Sequence, residues 1–331
     1  MPNLLMLEPR GDHARCLETG CTDRPRSYQW CIREALGQDT TLNYLEHAPH
    51  SFSPAKWIDN LRTVGSARHL LFCVGPNLLV PASKCLGVLH GRLVVLVWSL
   101  PQHNWVREKL VQSQLSAADR LVVNDTGTGR QLGERWPDLA EKVTFVPYPV
   151  DSRFFVPGQD SRQDYVLVPG DMDRDNEFVC NLAEELSCPV VRVTREPRVR
   201  QFYERRGYDR KRLTVLFRVS FHELRTLYQQ ARAVVLPVMN HRHPAGLTSL
   251  LEAMACGCAC LVASGKTTTD YVQDGKSAIF LSGTRQEMVG QVLAALDSGR
   301  LNELGAEARR RVEELFSVDV LVPQWRRLFE F

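Results

Sequence analysis

GLTSLLEAMACGCACLVAS, residues 246–264, reads as a helix, a glycine stop and a buried strand. Leu247, Leu250, Leu251 and Met254 recur at i, i+3, i+4 and i+7, the spacing that puts four apolar side chains on one helical face. That face belongs to a core. Thr248 and Glu252 are four residues apart on a different face, so a hydroxyl and a carboxylate are expected to point together toward something polar outside the core. Gly257 is placed to end the helix in a left-handed cap, and CACLVA after it is an apolar run of strand length.

A helix that opens with Ala245 and Gly246 leaves its first backbone N–H groups free, and the aligned peptide dipoles make that end suited to an anion such as a diphosphate. A carboxylate one turn further in does not share the phosphate. It suits the acceptance of hydrogen bonds from a pair of ribose hydroxyls, each charge-assisted contact contributing roughly 1.5 to 3 kcal/mol. Helix end plus acid points to a nucleotide, and a surface helix with a solvated Glu252 is the alternative that spacing alone leaves open.

LLEAMACGCACLVAS followed by TTDYVQDGKSAIFL resembles the donor-binding block of the retaining glycosyltransferases of family 4, the "group 1" enzymes with the glycosyltransferase-B (GT-B) fold. That family shows an acid, a Gly-rich helix start, a second acid eight residues after the first, Ala-Met-Ala-x-Gly, a strand, and a later Asp-Gly turn. Here Glu252 stands as the second acid, followed by Ala253 to Ala255, Gly257, and Asp274-Gly275. The resemblance is strong over residues 210–285 and weaker from about 65 to 331. It departs at one place: eight residues before Glu252 stands Pro244, not an acid. The resemblance implies an α/β protein of GT-B fold, two Rossmann-like domains facing each other across a cleft. It also implies donor binding in the C-terminal domain and no metal or other cofactor beyond the nucleotide-diphosphate sugar itself.

The length of 331 residues exceeds what one ordinary core holds, in agreement with two domains. With 41 basic and 38 acidic side chains the net charge is +3, which offers no electrostatic case for a nucleic-acid partner and at most peripheral membrane contact. No apolar run approaches the roughly 18 residues of a membrane span, and the N-terminus MPNLLMLEPRGD lacks signal-peptide shape, so a cytoplasmic protein is expected. The ten cysteines follow no disulfide framework and have no zinc spacing; free buried thiols are expected.

Strand and helix alternate from the N-terminus. LLML (4–7) is a strand whose exit loop carries Arg10 and Gly11. A helix at 26–36, a strand at 42–45, a helix at 54–63, a strand at 70–74 and a helix at 78–89 follow. The strand at 92–98 delivers His103 into a loop, with Trp98 and Ser99 where relatives carry a His near the transferred sugar. A helix at 104–117 precedes SAADRLVVND, and VTFVPYPVDSRFF (143–155) resembles the family's exit from the first domain, with Val150-Asp151 and a phenylalanine behind. The polar stretch 157–164 reads as a linker. The expected domains are 1–156 on the acceptor side and 157–316 for the nucleotide sugar, with a helix over 317–331 packing back onto the first.

In the second domain YVLVPG (165–170) opens a loop that contains Asp171-Met172-Asp173 and Arg174. The acidic triplet imitates a metal motif of the other glycosyltransferase fold and is not read as one here. Arg174 resembles the family's basic residue after this strand, the one that neutralises the donor diphosphate. The usual second basic residue is absent, Asn176 standing near its place. Arg218, at the exit of the strand 214–220, neighbours base or phosphate on this reading. The loop MNHRHPA supplies His241, Arg242 and His243 ahead of the helix. The implied site is therefore Arg174, Arg218, Gly246, Leu247, Thr248 and Glu252 for the donor, with His103 and His243 on the catalytic side. The implied reaction moves a sugar, with retention, to an acceptor that the residues do not name: a glycan, a lipid-linked glycan or a small molecule. A catalytically impaired homologue acting as a binding module, and a GT-B enzyme of another reaction such as an epimerase, stand as alternatives.

Overall fold

The computed structural model describes residues 3–7, 24–37, 41–44, 62, 64, 69–73, 79–89, 91–100, 105–207, 211–239, 245–263, 265 and 268–330. The chain forms two compact units, one of Met1–Cys21, Ser27–Pro147 and Leu321–Phe331, the other of Thr22–Arg26 and Tyr148–Val320.

Among the described residues the first unit shows six strands, all parallel: β1 (Asn3–Leu7), β2 (Thr41–Tyr44), β3 (His69–Cys73), β4 (Arg92–Val97), β5 (Arg120–Val123) and β6 (Val143–Phe145). Their order is β2-β1-β3-β4-β5-β6. Helices α1 (Tyr28–Leu36), α2 (Leu79–Cys85), α3 (Trp105–Ala117) and α4 (Thr126–Arg135) connect them. Strands of a parallel sheet are covered on both faces, and β4 accordingly reads as an unbroken apolar run. Leu93, Val95, Val97, Leu121 and Val123 pack with Val111, Leu115 and Leu132 in one core. Helix α4 was not expected from TGTGRQLGER, which carries three glycines. It forms because Asp125 caps it, accepting from the Thr128 amide at 2.7 Å, and because Gly129 lets the helix lie against the sheet, where a Cβ would stand 3.3 Å from Val123. The helix expected over 54–63 lies, but for Arg62, outside the described residues.

The second unit runs β7 (Val166–Pro169), α5 (Asn176–Glu185), β8 (Val190–Thr194), α6 (Pro197–Arg206), β9 (Leu213–Phe217), α7 (Phe221–Gln230), β10 (Ala233–Leu236), α8 (Leu247–Ala255), β11 (Cys260–Ala263), β12 (Ile279–Leu281), α9 (Arg285–Asp297), α10 (Leu301–Arg311) and α11 (Val318–Phe329). Its sheet is parallel throughout, ordered β9-β8-β7-β10-β11-β12. One face packs Leu167, Val234, Leu236 and Val262 against α7 and α8 through Tyr228, Leu250, Leu251 and Met254. The other packs Val166, Val168, Val190 and Val235 against α5, α6 and α9. The chain leaves β7 toward β8 and β9, then returns to place β10 on the other side of β7. That reversal is the topological switch point, where open α/β sheets hold ligands at the carboxyl ends of their strands.

The division falls between Pro147 and Tyr148, nine residues before the boundary expected at 156/157. Residues 148–156 pack with the second unit: the Tyr148 amide donates to the Tyr271 hydroxyl at 2.9 Å, Val150 pairs with Ser317, and Phe155 is buried. Asp151 accepts from the Arg26 amide and guanidinium at 2.8 Å each, so the short Thr22–Arg26 segment is held in the second unit too. Burial acts to raise the Asp151 carboxyl, but the bonds and charge of Arg26 outweigh it and hold the carboxyl below its ordinary value. Helix α11 starts in the second unit and from Leu321 belongs to the first, where Trp325 is fully buried and stacks on Tyr28 with ring centroids 6.4 Å apart.

Candidate functional site

The loops that leave β7 and β10, at the switch point, are laced together by backbone bonds. The Asp175 amide donates to Pro237 O at 2.8 Å, the Met239 amide to Asp173 O at 2.9 Å, and Arg174 forms an antiparallel bridge with Val238. Asp173 takes a left-handed φ of 54° to make this turn. The Arg174 side chain is thereby turned back under the loop, 3% exposed. Its Nε donates to Pro169 O and its Nη1 to Met172 O, both at 2.9 Å.

Helix α8 meets the guanidinium from the other side. Gly246 caps the helix at φ 83°, a left-handed conformation, and a Cβ there would stand 3.1 Å from Arg174 Nη1 and 3.1 Å from Val238. Gly170 sits as close: a Cβ would lie 2.7 Å from Arg174 Nη2 and 2.9 Å from Ser249 Oγ. Two glycines thus let one cation approach a helix N-terminus whose first amides have no intrahelical acceptor. Burial, with the neighbouring charge of Arg192 adding to it, pulls the Arg174 guanidinium down to about 10, still charged near neutrality.

Glu252 lies one turn further along α8 and departs from expectation. It was expected to point out of the core beside Thr248; it is 6% exposed and its Oε2 accepts from the Tyr228 hydroxyl at 2.9 Å, while Thr248 is solvent-exposed. Helix α8 is buried nearly all round, lying between the sheet and α7, so only its first turn meets solvent. Ser249, three residues before Glu252, shares its surroundings instead and stands beside the Tyr228 hydroxyl. Burial drives the Glu252 carboxyl up to about 7, against the opposing pull of the Tyr228 bond and of the Arg195 charge. Arg195 leaves the end of β8 and lies over the Phe221 ring, 5.3 Å from its centroid.

Arg218 is exposed, with φ 58°, its guanidinium over the Phe217 ring at 5.0 Å. A non-glycine residue held in the left-handed region costs of order 1 kcal/mol or more and clusters at functional sites. Asp171 spends its carboxylate on the Thr194 hydroxyl and on the Arg195 amide at 3.0 Å. Among the described residues no group of three or more His, Cys, Asp or Glu is arranged to hold a metal ion. His103, His241, Arg242, His243 and Pro244 lie outside the described residues, as do Arg10 and Gly11. The structure therefore brings Arg174, Gly246, Leu247 and Glu252 to one strand-end region, and adds Gly170, Ser249, Tyr228 and Arg195, which sequence reasoning passed over. Tyr228 carried no signal, being one more large residue on the core face of an amphipathic helix. The Ser249 signal was present as an i, i+3 spacing to Glu252 that the i, i+4 pair with Thr248 overshadowed.

Residues 208–312 match the family model described as "Glycosyl transferases group 1". No curated protein matches the chain. Among solved structures, sucrose-phosphate synthase from Thermosynechococcus elongatus is similar at 15% identity and a TM-score of 0.74, over 99% of this chain and 98% of that one. A glycosyltransferase from Rickettsia africae is similar at 11% identity and 0.74, over 99% of each chain. The Anabaena protein HepE, solved in complex with UDP-glucose, is similar at 12% identity and 0.70, over 99% of this chain and 98% of that one. These likenesses give the chain the GT-B fold, two Rossmann-like α/β units.

Proposed function

We propose, starting from a chain of GT-B fold whose residues 208–312 carry the group 1 glycosyl transferase signature, that the protein is a glycosyltransferase. It moves a sugar from a nucleotide-diphosphate donor to an acceptor, with retention of anomeric configuration. The observation that carries the reading is the Arg174 guanidinium, buried between Gly170 and Gly246 at the opening of α8, with Glu252 one turn inside. A cation and free helix amides are what a leaving diphosphate requires as its charge develops. The carboxylate a turn away is within a nucleoside's reach of that end and suits ribose hydroxyls. The HepE complex, similar over its whole length, contains a sugar nucleotide, which supports a donor of that class.

On this reading Arg174 and the amides of Gly246, Leu247 and Thr248 hold the diphosphate, Glu252 holds ribose, and Arg218 stands beside the base or phosphate. His103 and His243 take the sugar side. The acceptor is a glycan, a lipid-linked glycan or a small molecule, and no divalent ion enters the step. Among the described residues no helix is long and apolar enough to cross a membrane. Cys31, Cys180, Cys188, Cys256, Cys258 and Cys260 are buried free thiols, which fits a reducing, cytoplasmic setting. The test is release of nucleoside diphosphate from a panel of sugar nucleotides in the presence of EDTA, with the anomer of the product read by NMR. Activity that needs a divalent ion overturns the metal-free step, and an inverted product overturns retention.

Pro244 favours a second reading. Proline offers neither charge nor a backbone N–H where relatives place an acid near the sugar. Tight donor binding with no diphosphate release from any acceptor extract assigns the protein to sugar-nucleotide binding without transfer.

A further inference from the structure

Arg192 is the most unusual residue of the second unit that the site does not use. It stands in the middle of β8 and is 0% exposed, on the face otherwise packed with Val166, Val168, Val190 and Phe178. A buried guanidinium is costly unless paired, and in such places it is ordinarily met by a carboxylate. Neither Arg192 nor Arg174 forms an ion pair with a carboxylate among the described residues. Arg192 Nη1 donates to Val168 O at 3.1 Å and to the carbonyls of Gly170 and Val193 at 2.5 Å each, and the Tyr203 hydroxyl stands beside the guanidinium, so its partners are neutral oxygens.

Gly170 is therefore the meeting point of two cations. Arg192 is bonded to its carbonyl, and Arg174 Nη2 lies 2.7 Å from where its Cβ would be. Asp171, the nearest acid in sequence, bonds Thr194 and Arg195, and its charge reaches both guanidinium groups only through space, as that of Asp173 reaches Arg174. Two guanidinium groups flank one glycine beside an uncapped helix N-terminus, and among the described residues neither is directly paired with a carboxylate, which leaves a place that suits an anion. The sequence also lacks a second basic residue in the loop itself, where Asn176 stands at the start of α5 and accepts from the Tyr203 hydroxyl at 2.9 Å.

We infer that Arg192 is the second cation of the diphosphate site, a positioning residue that acts from beneath Gly170 through its charge and through its hold on the β7 exit loop. It takes the part of a loop cation from inside the sheet. Because it lies under the backbone, it attracts the diphosphate without touching it, and Arg174 makes the contact. The inference rests on the donor reading above and extends it to a residue outside the loop.

The test is calorimetric titration of inorganic pyrophosphate, of the nucleoside diphosphate that wild type binds tightest, and of the matching nucleoside. It is run on wild type, Arg192→Met and Arg192→Lys. A unit charge several ångströms from the anion in partly buried surroundings is worth about tenfold or more in affinity. Arg192→Met is expected to weaken pyrophosphate and diphosphate by about that factor, to leave the nucleoside unchanged, and to shrink the ligand-induced rise in Tm. Arg192→Lys keeps the charge and loses the fork of donors, and is expected to stay within about threefold of wild type. Unchanged diphosphate affinity in Arg192→Met overturns the inference, as does an equal loss for nucleoside and pyrophosphate, which marks a structural role. Should Arg192→Met not fold, Arg192→Lys decides: retained pyrophosphate affinity supports the charge, and a tenfold loss overturns it. Wild type that binds pyrophosphate but no nucleoside diphosphate instead sinks the donor reading and leaves the anion site standing.

Discussion

On the proposed reading Glu252 couples proton and nucleotide in one side chain. Its carboxyl ordinarily titrates near 4.5, and burial beside Tyr228 raises it to about 7. A folded-state value above the unfolded one means that the folded protein binds the proton first as pH falls. This group's contribution therefore favours the folded state below about 4.5, declines as pH rises from there toward 7, and is lost above it. Glu252→Gln should flatten that part of the profile, so that the variant gains on wild type in denaturant melts at pH 8 relative to pH 5. Ribose hydroxyls need the ionised acceptor. Donor binding at pH 6.5 should release a proton, seen as a binding enthalpy that changes with the ionisation enthalpy of the buffer; no such dependence removes Glu252 from the ribose. Removal of the carboxylate in Glu252→Ala should cost roughly ten- to a hundredfold in nucleotide affinity, the equivalent of about 1.5 to 3 kcal/mol. Arg174→Ala should act on diphosphates far more than on the bare nucleoside, since the part of the ligand proposed to meet it is phosphate alone; equal losses in the same titrations place it elsewhere.

Helix α8 is held at both ends by residues with no side chain. At its start Gly246 has φ 83°, and at its end Gly257 has φ 64°, with the Cys258 amide donating to Ala253 O at 3.0 Å and the Gly257 amide to Met254 O at 2.9 Å, a Schellman closure. Helix α10 packs on that closure through Gly305, where a Cβ would lie 2.1 Å from Gly257 O. In a helix interior Gly→Ala ordinarily gains about 0.5 to 1 kcal/mol. At 305 the sign should reverse, because the obstacle is backbone and α10 must move away: a loss of roughly 1 to 3 kcal/mol is expected, read as a lowered midpoint in urea. A Gly305→Ala protein as stable as wild type would show that the two helices are not packed as described. Gly246→Ala should also lose stability, through φ and through the approach of Arg174, and it should lose diphosphate affinity as well. The element scale also explains the missed features. Helix α4 depends on one cap and one bare Cα rather than on propensity, and Glu252 is buried because of what lies over α8, not because of anything in α8.

At the scale of the molecule, the two units have separate cores, and every described residue assigned to the donor lies in Tyr148–Val320. A ligand that binds only the folded form of one unit stabilises that unit by mass action. Differential scanning calorimetry of the whole chain with saturating nucleoside diphosphate should raise the transition of the donor unit more than that of the other; equal shifts in both would show that they unfold as one. What the sequence alone determined is the alternation of buried parallel strands with amphipathic helices, because a strand covered on both faces has to be an apolar run and a helix on a sheet has to carry an apolar stripe. It also determined the helix that opens at Gly246, because Leu247, Leu250, Leu251 and Met254 recur at the spacing of one helical face. These are local demands, satisfied within about a dozen residues. The tertiary structure decided that Glu252 is protonatable near pH 7, that Tyr228 and Ser249 are its neighbours, and that Arg192 faces Arg174 across Gly170. Each of those depends on charges and hydroxyls brought together from strands and helices far apart in the chain, and the electrostatics of a buried group is set by what surrounds it in space.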